Sequence, residues 1–176
     1  MLVSPLVAFS SENLVITQTV NPALGEFNFE FVGVRPQAKV TETKCPASEP
    51  NIDTEIIIFD SKGEIIQRLP VNFLLFRCGG GVSFVDLNDD GYADLLIFNF
   101  TTVGPYTNAD VYIFDPEQRK FKQSQELSGG GNYQKQRQKG CVLVEMKPPA
   151  DDYIEETFCF NTVDRKFHRV IDHATQ

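Results

Sequence analysis

Short apolar runs alternate with clusters of Gly, Pro, Asn and Asp along the chain, and a helical period is nearly absent. Runs rich in Val, Ile, Phe, Thr and Tyr predict strands at Leu14 to Val20, Phe27 to Gly33, Lys39 to Lys44, Thr54 to Phe59, Ile65 to Leu69 and Asn72 to Arg77. Further strands are predicted at Leu95 to Phe100, Asp110 to Phe114, Lys120 to Gln123, Cys141 to Glu145, Glu155 to Phe160 and Lys166 to Ile171. The most helix-like stretch, Asn132 to Lys139, is short and polar. The pattern predicts an all-β domain over residues 13–173, preceded by a flexible segment over 1–12.

One pattern occurs three times. Ile57-Ile58-Phe59-Asp60 leads through a polar turn to Ile65-Ile66, Tyr112-Ile113-Phe114-Asp115 to Lys120-Phe121, and Phe158-Cys159-Phe160-Asn161 to Lys166-Phe167. Asp or Asn at the turn entrance can accept a hydrogen bond from the backbone two residues on. Three such antiparallel hairpins suggest blades of a small propeller-like domain, or successive hairpins of a sandwich.

The last hairpin also positions two of the four cysteines. Pro148-Pro149-Ala150-Asp151-Asp152 is a strong turn signal, and folding about Ala150 sets Cys141 opposite Cys159. Facing residues of paired strands are close enough for a bridge, although two buried thiols would give the same pattern. A Cys45–Cys78 bridge would follow by elimination, while four cysteines allow three connectivities. No C-x-x-C spacing suggests zinc, and disulfides would place the chain in an oxidising compartment.

Composition narrows the function classes. The 176 residues carry 16 basic and 24 acidic side chains, a net charge of -8, which argues against nucleic acid as a partner and suits a cationic one. No stretch approaches the roughly 20 apolar residues of a spanning helix. Met1 to Phe9 lacks the basic start and full apolar core of a signal peptide, so the chain reads either as one whose leader, with any membrane anchor, was removed, or as cytosolic.

The motif with specific chemistry is Asp86-Leu87-Asn88-Asp89-Asp90-Gly91-Tyr92-Ala93-Asp94, the front of a D-x-[DN]-x-[DN]-G calcium loop. Oxygens of Asp86, Asn88 and Asp90, the carbonyl of Tyr92 and the carboxylate of Asp94 are the expected Ca2+ ligands. Position 12 is Ile97 rather than Glu, and the following residues read as a strand, so this is a strand-linked loop of weaker affinity.

Enzyme constellations are thin: neither a G-x-S-x-G elbow nor a phosphate loop occurs, and His168 and His173 read as structural. The expected class is therefore non-enzymatic. Two loops have the composition of adaptable contact surfaces, Thr101 to Asn108 with Tyr106, and Ser128 to Tyr133 with Gly129 and Asn132.

The stretch from Val85 through Asp94-Leu95, with Val111 to Pro116 and Arg119-Lys120-Phe121, resembles FG-GAP-like calcium-loop proteins. Among them it is most similar to periplasmic immunity proteins that inhibit lysozyme-like effectors delivered between bacteria. The resemblance implies a small propeller-like β fold, calcium on the loop residues named above, periplasmic localisation, and inhibition of a peptidoglycan hydrolase by a loop inserted into its cleft. It implies that Ser128 and Tyr133 act as the Ser and Tyr of that loop, although three glycines here loosen the spacing. The alternative expectation is a calcium-dependent adhesion or glycan-binding module in which Tyr106 or Tyr133 stacks on sugar rings.

Overall fold

The computed structural model describes residues 6–9, 14–32, 53–72, 81–100, 107–146 and 154–170. They form thirteen antiparallel strands in three sheets. The first sheet holds β1 (Leu6–Phe9), β2 (Leu14–Asn21), β3 (Gly25–Val32), β4 (Asp53–Phe59) and β5 (Ile65–Asn72). The second holds β6 (Gly81–Val85), β7 (Asp94–Phe100), β8 (Thr107–Asp115) and β9 (Lys120–Gln123). The third holds β10 (Asn132–Lys135), β11 (Cys141–Met146), β12 (Ile154–Asn161) and β13 (Lys166–Arg169). Each sheet is a meander in which every strand pairs with its neighbour in the chain.

The sheets stack face to face with the second in the middle. Leu95, Ile97, Tyr112 and Phe114 pack with Phe27, Phe29, Phe31, Ile56 and Ile58 of the first sheet. Leu96, Val111 and Ile113, which alternate with them along β7 and β8, pack with Val142, Val144, Phe158 and Phe167 of the third. Successive strand residues point to opposite faces, so a strand covered on both sides reads as an unbroken apolar run, as Leu95-Leu96-Ile97 does. This is the all-β architecture expected from the sequence, consistent with a small propeller-like or sandwich domain, with each repeated hairpin supplying the last two strands of one sheet.

Several sequence expectations are corrected. Asn132 to Lys139 is not helical: its first half is β10, an edge strand paired with β11. Its exposed polar side chains suit a sheet edge, where only one neighbour is needed. Leu6–Phe9, expected to be flexible, pairs with β2. Strand β6 was missed because Gly81-Val82-Ser83-Phe84-Val85 is short and follows a glycine cluster. The expected strand Lys39 to Lys44, most of Asn72 to Arg77, and Cys45 and Cys78 lie outside the described residues.

The repeat also builds clasps between sheets. Asp60, Asp115 and Asn161 each accept turn N–H groups, from Lys62 at 2.9 Å, Glu117 at 3.0 Å and Val163 at 2.8 Å. Each Asp also takes an arginine from the next hairpin, on the free oxygen of Asp60 but on the turn-bound oxygen of Asp115, whose other oxygen pairs with Lys122. Arg119 Nη2 lies 3.3 Å from Asp60 Oδ2, and Arg165 Nη2 lies 3.4 Å from Asp115 Oδ1. Both arginines hold left-handed backbone, at φ 53° and 57°, a conformation that costs roughly 1–3 kcal/mol in a non-glycine residue. The first hairpin keeps the same residue spacing but shifts register between Ile58 and Phe59, and its left-handed residue is Gly63 at φ 79°.

Burial by itself pushes the Asp115 carboxyl up, but Lys122, the N–H groups of Gln118 and Glu117, and Arg165 outweigh it and hold the group below its ordinary value. Its contribution to stability is thus complete above the unfolded-state value of about 3.9 and is lost as pH falls through the lower folded-state value. Chemical unfolding at about pH 5 and about pH 3 is expected to show a loss on acidification that Asp115→Asn makes shallower. An equal acid loss in the variant would contradict this account.

Candidate functional site

The Asp86 to Asp94 loop joins β6 to β7 and touches all three sheets. Within it, Asp86 accepts the N–H of Asp90 at 3.1 Å and that of Gly91 at 3.0 Å, one on each carboxylate oxygen. Asn88 Oδ1 accepts the Asp90 N–H at 3.2 Å, and Asn88 Nδ2 donates to Asp90 Oδ2 at 2.9 Å. Asp90 Oδ1 accepts the Tyr92 N–H at 2.9 Å. Gly91, at φ 89°, makes the sharp turn that an L side chain would strain.

Outside the loop, Asn21 Nδ2 donates to the Gly91 carbonyl at 2.7 Å and the Ala93 N–H to the Val20 carbonyl at 2.8 Å, which ties the loop to the first sheet. Asp94 is fully buried at the start of β7; it accepts Leu87 N–H and Phe114 N–H, both at 2.9 Å, and so anchors the loop to β8. On the third sheet, Asp89 accepts the Gly140 N–H at 2.7 Å and pairs with Lys135. A side chain on Gly140 would stand 3.2 Å from the Asn88 carbonyl oxygen, so the close approach of these two turns requires glycine.

The carboxylates crowd one another. Burial raises the pKa of Asp94 well above the ordinary range, against two lowering N–H bonds, and Asp90 and Asp86 push the same way. Burial also raises Asp90, against Tyr92 N–H and Asn88, with Asp86 adding to the rise. Asp89 behaves oppositely: burial pushes it up, but the Gly140 N–H and Lys135 hold it down, as a carboxylate facing the third sheet should be held.

This donor set fits a hard divalent cation. It consists of carboxylate, amide and carbonyl oxygens, and carboxylate oxygens with one N–H bond keep a second lone pair. A cation would also relieve the mutual repulsion of Asp86, Asp90 and Asp94. Among the described residues no three His, Cys, Asp or Glu side chains are already gathered as metal ligands. The donor set depends instead on Asn88 and the Tyr92 carbonyl in addition to the carboxylates.

The Ser128 to Tyr133 segment holds a different geometry from a presented contact loop. Ser128 Oγ donates to the Ser124 carbonyl at 2.6 Å and accepts the Val111 N–H at 3.1 Å. Tyr133 Oη lies 2.7 Å from the Leu127 carbonyl and 3.0 Å from that of Gly130, and burial raises its pKa. Gly129 N–H donates to the Ala109 carbonyl at 2.8 Å, which fastens the turn to β8. Both hydroxyls are thus engaged inside the protein. Of the expected contact residues, Gly129 and Asn132 are exposed, and Tyr106 lies outside the described residues.

Cys141 and Cys159 are register partners on β11 and β12, as the hairpin placement predicts, and are bonded to each other. A cleft of about 410 Å³ opens between the second and third sheets, lined by Asp115, Lys122, Ser124, Glu126, Phe160 and Arg165 among others. Sequence reading missed Asn21, Lys135 and Gly140 as partners of the loop, and with them the outward bonds of Asp89. The one local signal was Gly140 beside Cys141, a glycine at a strand entrance where a close approach is common.

No protein-family profile matches the chain, and no curated protein or solved structure matches it either.

Proposed function

We propose that this protein is a calcium-stapled, non-enzymatic inhibitor of a lysozyme-like peptidoglycan hydrolase, acting as an immunity protein in the periplasm. The observation that carries the reading is the Asp86 to Asp94 loop, whose oxygen donors and crowded carboxylates sit where three sheets meet. Asp86, Asn88, Asp90, Tyr92 through its carbonyl, and Asp94 would hold the ion. When bound, calcium supplies charge neutralisation and rigidity, which lower the entropy lost when a partner docks. The resemblance that supports the inhibitor class joins the loop to Val111 to Pro116 and Arg119-Lys120-Phe121, since the calcium loop alone is shared with adhesion modules. The Cys141–Cys159 bridge supports an oxidising compartment.

The contact itself differs from a plug made by Ser and Tyr hydroxyls. Ser128 and Tyr133 brace the turn from within, and exposed Gly129 and Asn132 form the part that meets the partner. The net charge of -8 steers a basic hydrolase toward the protein. A second reading, a glycan-binding module, is favoured by the cleft between the second and third sheets, where charged and polar groups stand beside Phe160.

Hydrolysis of purified cell wall by a panel of lysozyme-fold enzymes, with this protein titrated in, tests the proposal. Stoichiometric inhibition of one enzyme, weakened by chelator and by Asn132→Ala, is the expected result. Absence of inhibition together with weak binding of wall glycans would transfer the function to the cleft. Turnover of the wall by the protein alone would overturn both readings.

A further inference from the structure

The outer face of the third sheet carries a row of three groups whose chemistry belongs together. Cys141 faces Cys159 across the β11–β12 pair, and Cys159 faces His168 across the β12–β13 pair. Directly opposed residues hold their Cβ atoms roughly 4.5–5.5 Å apart on the same side of a sheet. His168 Nε2 lies 2.7 Å from Asp164 Oδ2, so the ring is oriented by a carboxylate on the turn that precedes its own strand. Burial pushes the Asp164 carboxyl up, but the bond with His168, the Lys166 N–H and the nearby charges together hold it below its ordinary range. The ring therefore stands against a carboxylate and, across the strand pair, beside Cys159. The two sulfurs differ in access: Cys141 is 1% exposed and Cys159 is partly exposed.

We propose that the Cys141–Cys159 bridge is a thiol–disulfide exchange site, entered at Cys159, with His168 as the cation that stabilises the Cys159 thiolate and Asp164 as the residue that positions His168. The co-reactant is a small-molecule thiol of the glutathione class. Its thiolate attacks Cys159 Sγ, the S–S bond breaks, and the electron pair leaves on Cys141, which takes up a proton. A second thiolate attacks the external sulfur of the mixed disulfide. Cys159 then leaves as a thiolate beside the His168 ring, and the small disulfide departs. The protein cystine is reduced by two electrons, and two small thiols are oxidised to one disulfide. In the reverse direction the Cys159 thiolate attacks a small disulfide and Cys141 resolves it.

Neighbouring strand residues on the same face complete the electrostatic setting. Alternation from Cys159 and His168 places Glu155 on β12, Lys166 on β13 and Glu145 on β11 there, with Asp164 at the turn. Lys166 adds positive charge near His168, while the two glutamates stand further along the strands. The pH dependence of Cys159 therefore reports chiefly on His168, Asp164 and Lys166.

The test follows each cysteine of the full chain separately by alkylation and peptide mass analysis. Brief exposure of the folded, oxidised protein to glutathione is expected to give a mixed disulfide on Cys159 and none on Cys141. In the reduced protein the alkylation midpoint of Cys159 is expected below the ordinary thiol value of about 8.5. His168→Asn is expected to move that midpoint upward and slow alkylation at neutral pH by about tenfold. Asp164→Asn should move it the same way by less, which a purely structural role for Asp164 would not do. His168 is a surface side chain, so His168→Asn should keep the melting temperature and near-ultraviolet dichroism of the oxidised protein. First attack at Cys141, or a midpoint for Cys159 that does not respond to His168→Asn, overturns the proposal. The attack position is read on the unsubstituted chain and holds even where a variant fails to fold.

Discussion

Replacing Phe114 with alanine is expected to lower the unfolding free energy by about 3–5 kcal/mol. The ring is fully buried between the first and second sheets. It meets Phe27 edge-on at 5.9 Å, Phe121 at 5.0 Å and Tyr92 in a stack at 5.4 Å between centroids. Close-packed cores relax only partly around a missing ring, so the loss combines lost transfer energy with a cavity. Tyr92 belongs to the candidate calcium loop, and the Phe114 N–H is bound by Asp94. The substitution should therefore disturb the loop as well as the core. Denaturant unfolding measures the effect. A loss under about 1 kcal/mol would mean that the two sheets are not packed through this ring.

Calcium is expected to raise the melting temperature by about 5–10 °C at a concentration a hundredfold above its dissociation constant. Binding at that ratio stabilises the native state by about 2.7 kcal/mol. For a chain of this length each kcal/mol moves the midpoint by roughly 2–4 °C. Asp86→Ala should remove the difference between calcium and chelator. It should also lower the baseline, because Asp86 accepts the N–H groups of Asp90 and Gly91. The decisive quantity is the calcium-dependent shift within each variant. Identical melting curves in calcium and chelator for the unsubstituted protein would remove the metal from the proposed function. Because the loop bonds to Val20, Phe114 and Gly140, the shift should be cooperative across all three sheets.

Much of the fold was legible because its signals are local. Strand residues alternate on a period of two, and turns need Asp, Asn, Pro or Gly for stated backbone reasons. The Cys141–Cys159 partnership was legible for the same reason: once a hairpin turn is placed, antiparallel pairing determines who faces whom. Strand β10 was misread because an edge strand of polar residues carries no alternation to find. The donor residues of the calcium loop were readable as types. Their crowding was not, since it arises from burial against β2 and β8.

Local sequence pattern was enough to specify an all-β chain, three related hairpins, the facing positions of Cys141 and Cys159, and a loop of oxygen donors. These depend on residues close together in the chain, where spacing maps directly onto geometry. Long-range packing placed the second sheet between the other two and brought Arg119 and Arg165 onto carboxylates of the preceding hairpins. The same packing turns the hydroxyls of Ser128 and Tyr133 inward and brings Asp89 to Gly140 across a sheet boundary. Such contacts join residues far apart in the chain. They are selected by the burial of apolar faces against one another, which leaves no periodic trace at either partner.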